Sequence, residues 1–75
     1  MKFRIGEPVV VLCYHRGDTG IVYDWLAGVV VEADARMIAV RFPVDVFTNQ
    51  GVPVVDRTLW SAHGSPHVRR PDGQA

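Results

Sequence analysis

The sequence predicts an all-β domain, a small five-stranded antiparallel barrel over residues 1–61 with an irregular C-terminal tail over residues 62–75. Three observations carry this. No window of a dozen residues keeps apolar positions at helical spacing, and Gly and Pro interrupt the chain throughout. Several short stretches are rich in valine or alternate between apolar and polar residues. The segments joining them are mostly short and made of turn formers.

Glu7 to Tyr14 is the first expected strand, and Gly28 to Glu32 the second, with the same valine-rich texture. A longer loop is expected between them, and it contains Arg16-Gly17-Asp18-Thr19-Gly20. Overlapping words in this stretch spell an adhesion triplet, the Asp-Thr-Gly loop of aspartic proteases and the Gly-x-x-Gly clamp of KH-type RNA binders. Each fails on its surroundings. The adhesion word needs export, and MKFRIGEP shows no signal-peptide core. The protease loop has apolar residues before its Asp, where this chain has Arg16-Gly17. The KH clamp needs flanking helices, and Asp18 repels phosphate. What remains is a turn, for which Gly, Asp and Thr are suited.

Met37 to Phe42 alternates best: Ile38, Val40 and Phe42 point one way, and Met37, Ala39 and Arg41 the other. Ala33 to Arg36 is the turn before it, built on Asp34. Pro43 permits a bend. Val44 to Thr48 is a fourth strand and Val52 to Val55 a weaker fifth, joined by Asn49-Gln50-Gly51. Leu59 and Trp60 close that last strand or pack just after it, and Phe42 and Trp60 are expected in the core. From Ser61 the composition changes: SAHGSPHVRRPDGQA has two prolines, two glycines and one valine, and it reads as irregular.

Composition narrows the function classes. A 75-residue chain is one domain, with a core small enough to gain from partner chains. Cys13 is the only cysteine, which excludes an internal disulfide and points to a reducing, cytoplasmic setting. The longest apolar run, Val9 to Tyr14, is too short to cross a membrane as a helix. Eight basic residues balance eight acidic ones, so the charge footprint of a non-specific nucleic-acid binder is missing. Arg69 and Arg70, with His63 and His67, still form a basic cluster near the C-terminus.

Trp25-Leu26-Ala27-Gly28-Val29-Val30 followed by Met37-Ile38-Ala39-Val40-Arg41-Phe42 resembles the core of SH3-like barrels of the Tudor and KOW kind. The resemblance covers about half the chain and implies an SH3-like barrel, in which the segment around Asp18 is the first long loop. Val46-Phe47-Thr48-Asn49-Gln50-Gly51 with Leu59-Trp60 is similar to small uncharacterised proteins of phages and integron gene cassettes. Both patterns consist mainly of barrel-building positions, so they imply a fold more than a function.

The candidate binding residues are Tyr23, Trp25, Arg41, Arg69 and Arg70. Tyr23 and Trp25 stand at the exit of the first loop, where aromatic rings of Tudor-like barrels form cages for cations. Cys13, His15, His63 and His67 are metal-ligand types, but Cys13 and His15 lie two apart on a strand and lack the usual chelate spacing. No catalytic residue, metal or cofactor is expected, because no nucleophile–base pair occurs at useful spacing.

Val9-Val10-Val11-Leu12 and Val29-Val30-Val31 are apolar on both strand faces. A barrel strand with one wet face should alternate. The outer face should therefore be covered as well, and the tail is too polar to cover it. The expected partner is a second copy of the chain. The expected function is a non-enzymatic binding or assembly module, with a protein partner as its ligand class. Nucleic-acid binding through Arg41, Arg57, Arg69 and Arg70 is the alternative, disfavoured by the neutral balance.

Overall fold

A computed structural model of the chain describes residues 2–72. Gly73, Gln74 and Ala75, the end of the expected tail, lie outside the described residues. The dominant element is a hairpin of β1 (Pro8–Gly17) and β2 (Gly20–Ala33), paired from Pro8↔Val29 to Gly17↔Gly20. The expected long first loop is replaced by a two-residue turn, Asp18-Thr19. Gly20 supplies the unusual backbone there, with φ 138°, a conformation open mainly to glycine. Ile21 to Ala27 is apolar at most positions and continues the ladder instead of looping out.

β3 (Met37–Arg41) pairs with the far part of β2, and β5 (Thr58–Ala62) pairs with β3. β4 (Val46–Phe47) lies on the other edge of β1. The order β4-β1-β2-β3-β5 gives a nearly closed antiparallel barrel, compatible with an SH3-like fold. A bulge between Val30 and Glu32 inserts Val31 into the β2–β3 ladder, the kind of irregularity that bends a strand.

One phase of each strand fills the barrel. Val9, Val11 and Cys13 of β1 pack with Val30 of β2, Ile38 and Val40 of β3, Phe42, Val46 of β4 and Phe3. Fully burying a valine or isoleucine stabilises the fold by about 1.5–3 kcal/mol, so this set is the main source of stability. Gly28 belongs to the same face. It sits where β2 changes partner from β1 to β3. A Cβ there would lie 2.7 Å from Val40 Cγ1, 2.8 Å from the Arg41 carbonyl oxygen and 2.8 Å from Phe42 Cδ1. This close approach is what the barrel corner requires.

Two turns hold the frame. The Asp34 carboxylate accepts hydrogen bonds of 2.8 Å from the N–H groups of both Arg36 and Met37. These bonds favour the ionised form and lower its pKa below the ordinary value. After β4, Thr48 to Val52 form a turn with Gly51 at φ 81°. The expected strand at Val52 to Val55 is only a single bridge, Phe47↔Pro53, followed by a short 3-10 turn, Val55–Arg57. Pro53 has no N–H to extend a ladder. Asp56 and Arg57 both adopt left-handed backbone, at φ 57° and 53°. Their neighbours hold them there. The Arg57 guanidinium donates to the Pro43 carbonyl (2.9 Å) and to Asp45 (3.1 Å), and the Arg57 carbonyl accepts from the Phe42 N–H (2.9 Å).

The fifth strand is instead built around Leu59-Trp60. Its register, Val40↔Leu59 and Ala39↔Trp60, turns Leu59 inward and Trp60 outward. Trp60 is 53% exposed, which corrects its expected place in the core. The tail is largely irregular, yet it docks. Val68–Arg69 form a two-residue strand, β6, beside β1, and the Val68 side chain enters the core. His63 ties this end to the N-terminal segment. Its Nδ1 accepts the Phe3 N–H at 3.2 Å, and its Nε2 lies 2.7 Å from the Asp34 carbonyl.

Candidate functional site

The second phase of the same strands makes the outer face, and its order follows from the hairpin register. Residues paired across an antiparallel ladder share a face. Tyr14 therefore stands between Phe47 and Tyr23, and Leu12 beside Trp25. Val10 stands between Arg69 and Ala27, and Pro8 beside Val29, which in turn pairs with Arg41. The valine runs are thus apolar on two faces: Val9, Val11 and Val30 face inward, and Val10, Leu12 and Val29 outward.

The rings on this face are in contact. Tyr14 and Tyr23 have centroids 4.5 Å apart at a 41° tilt, a favourable aromatic geometry. The Arg69 guanidinium lies 4.4 Å from the centre of the Trp25 ring, and that of Arg16 lies 5.4 Å from Phe47. Both are within cation–π range. Phe47 is buried although it is not part of the inner cluster, and the Arg16 guanidinium lies over its ring. Tyr23 remains 51% exposed. Further along, Pro8, Ala27, Gly28, Val29, Arg41 and Pro43 line an open depression of about 370 Å³. Its walls are apolar apart from Arg41.

Of the five residues singled out from the sequence, the structure gathers four on this face. Tyr23, Trp25 and Arg69 stand at the aromatic end and Arg41 at the groove. Arg70 lies elsewhere. Its Nε is 2.7 Å from a Glu7 carboxylate oxygen and its guanidinium 4.6 Å from the Phe3 ring, where it clamps the tail to the N-terminal segment. Arg57, part of the nucleic-acid alternative, is taken up by Asp45 and the Pro43 carbonyl. Tyr14, Phe47, Leu12 and Arg16 belong to this face without standing out in the sequence. Their signal was available: a two-residue turn at Asp18-Thr19 sets Tyr14 opposite Tyr23 and Leu12 opposite Trp25.

The metal-ligand types do not converge. Cys13 and His15 share the inner face of β1, while His63 is bonded to the Phe3 N–H and the Asp34 carbonyl. No cluster of three or more His, Cys, Asp or Glu able to hold a metal ion occurs among the described residues. Burial pushes the Cys13 thiol up to about 11, so at neutral pH it is a small apolar group and not a thiolate. No helix among the described residues is long and apolar enough to cross a membrane.

The chemistry this face offers is recognition. Flat rings and aliphatic side chains take up apolar or planar groups, and Arg41, Arg69 and Arg16 give it a cationic border. No protein-family model matches the chain, and neither curated proteins nor solved structures give a significant match.

Proposed function

We propose that the chain is a small, non-enzymatic binding and assembly module whose working surface is the outer face of the β1–β2 hairpin. One observation carries this reading: Leu12, Tyr14, Tyr23 and Trp25 are spent on a face that the barrel core does not use. A chain of this size gains little from displaying aromatic rings to water, and a partner that covers them adds the burial its own core lacks. The partner class is protein, beginning with a second copy of the chain. The cytoplasm suits the buried, protonated Cys13. The likeness to small phage and integron-cassette proteins suits a module of this size and stands as part of the same proposal.

A second reading has its own observation. Aromatic rings beside Arg16 and Arg69 also describe a stacking platform for single-stranded nucleic acid, the mode of a Tudor- or KOW-like domain in that role. Two of the arginines it needs, Arg57 and Arg70, are engaged within the fold, which weakens it. Sedimentation equilibrium decides between the two. The assembly reading expects a mass above the monomer in the protein alone. The alternative expects a monomer that binds oligothymidine or oligouridine, with affinity falling steeply as salt rises.

A further inference from the structure

The longest unpaired backbone edge among the described residues is on β2. β3 pairs with β2 only from Val29 onward, and β1 occupies the other side. No strand among the described residues pairs with the second edge of β2 from Gly20 to Gly28. The phase of that edge can be read from the ladder. The Val30 N–H donates to the Glu7 carbonyl on the β1 side, and Gly17↔Gly20 closes the hairpin. Even-numbered residues of β2 therefore turn their backbone groups toward β1. Ile21, Tyr23, Trp25 and Ala27 turn theirs outward.

Natural edges are usually guarded by lysine, proline, a bulge or several charges. This one has neither lysine nor proline, and its bulge lies beyond it at Val31. Its single charge is Asp24, whose carboxylate accepts the outward Trp25 N–H at 2.8 Å and stands where a neighbouring strand's carbonyl would be. Ile21, Val22 and Tyr23, three large apolar residues that the fold leaves exposed, are consecutive along this edge. The chain carries no net charge, so two copies do not repel.

We propose that β2 pairs with β2 of a second copy, antiparallel about a two-fold axis at Tyr23, which joins the two hairpins into one continuous sheet. This rests on the assembly reading and gives it a geometry. An axis at Asp24 would overlap more of the strand but would set Asp24 against its own copy, which like charges disfavour. Moving the axis to Tyr23 sets each Asp24 opposite a Val22. It also lines up the outward groups as Tyr23 with Tyr23 and Ile21 with Trp25 on both sides. Those pairs make about six interchain hydrogen bonds, and the Trp25 N–H exchanges its carboxylate acceptor for a backbone carbonyl. The aromatic row Phe47–Tyr14–Tyr23 then continues unbroken into the second protomer. Such an interface is isologous and closes at two copies.

Amide hydrogen exchange on the full chain tests this across a concentration series. Ile21, Tyr23 and Trp25 should slow as concentration rises, whereas Ala27, on the same edge but outside the overlap, should not. Two variants accompany it. Tyr23→Pro removes one outward N–H that the protomer does not use, and Tyr23→Thr keeps that N–H while losing the ring. Tyr23→Thr should self-associate at least about tenfold more tightly than Tyr23→Pro. If Tyr23→Pro does not fold, the exchange pattern of the native chain alone decides. A native dimer whose edge amides ignore concentration, or two variants equally weakened, would overturn the β2 pairing and leave the assembly reading standing. A native chain that is monomeric throughout overturns both.

Discussion

A methyl group is all that Gly28 lacks relative to alanine, and the barrel corner has no space for one. Two of the three atoms a Cβ would meet, the Arg41 carbonyl oxygen and Val40 Cγ1, belong to the strand pressed against it. Gly28→Ala is expected to destabilise the fold by about 1–3 kcal/mol through forced backbone shifts, measured by denaturant titration. A neutral result would mean the corner is loose. In the sequence this glycine opens the second valine-rich strand, three residues after Trp25. The atoms that crowd it come from β3 and Phe42, more than ten residues further along the chain, and their approach is set by the β2–β3 pairing.

Cys13 gives a second prediction at this scale. Its thiol titrates near 9.0 ordinarily and about 11 in the fold. The unfolded chain therefore loses its proton first. The stability linked to this proton is complete below the ordinary value and is lost as pH rises toward the folded one. At about pH 8 a thiol reagent should label the native protein slowly and the denatured protein at the rate of a free cysteine. Equal rates would place Cys13 outside the core.

Among the elements, the β2–β3 turn rests on one carboxylate. Asp34→Ala removes the acceptor of two backbone N–H groups and should lower the melting temperature at neutral pH. The Asp34 pKa is depressed in the fold, so its contribution is present above the ordinary carboxyl value and disappears as pH falls through the folded one. The two melting curves should therefore converge in acid, and a pH-independent gap would assign the loss to something other than the ionised carboxylate.

β6 is the element that the sequence disguised. Its flanks carry Pro66, Pro71 and Gly64, so the composition reads as tail, and only the lone Val68 is apolar. That single side chain is enough to dock the segment, because β1 leaves the Val10 and Val11 edge open between its start at Pro8 and the β4 pairing at Tyr14. Val68→Ala should cost about 1–3 kcal/mol, comparable with a core truncation, whereas His67→Ala should be close to neutral by the same titration. A silent Val68→Ala would return the segment to an unanchored tail. The β1–β2 hairpin shows the opposite case. Its strand character and its turn residues were plain in the sequence. A Gly-rich stretch suits a long loop, but two glycines around two turn formers also make the shortest hairpin, and Gly17↔Gly20 close it here.

At the scale of the whole molecule, the two-faced valine strands were the most informative sequence feature, and the structure sorts them into inner and outer sets. Periodicity says that a second face exists and cannot say what meets it. The aromatic row along that face came from register, which single-sequence reasoning reaches only once the turn is known. Arg70 shows the reverse: a basic residue in a basic cluster reads as a binding group, yet its Glu7 and Phe3 partners lie more than sixty residues earlier in the chain and spend it on the fold. On the proposed reading, association through the outer face and free edge of the hairpin completes this barrel. Folding is then linked to protomer concentration. The most direct test is the melting temperature measured over about a hundredfold range of protein concentration. A barrel completed by association melts at steadily higher temperature as concentration rises, and a constant melt across the range, from a particle of monomer mass, would rule that completion out.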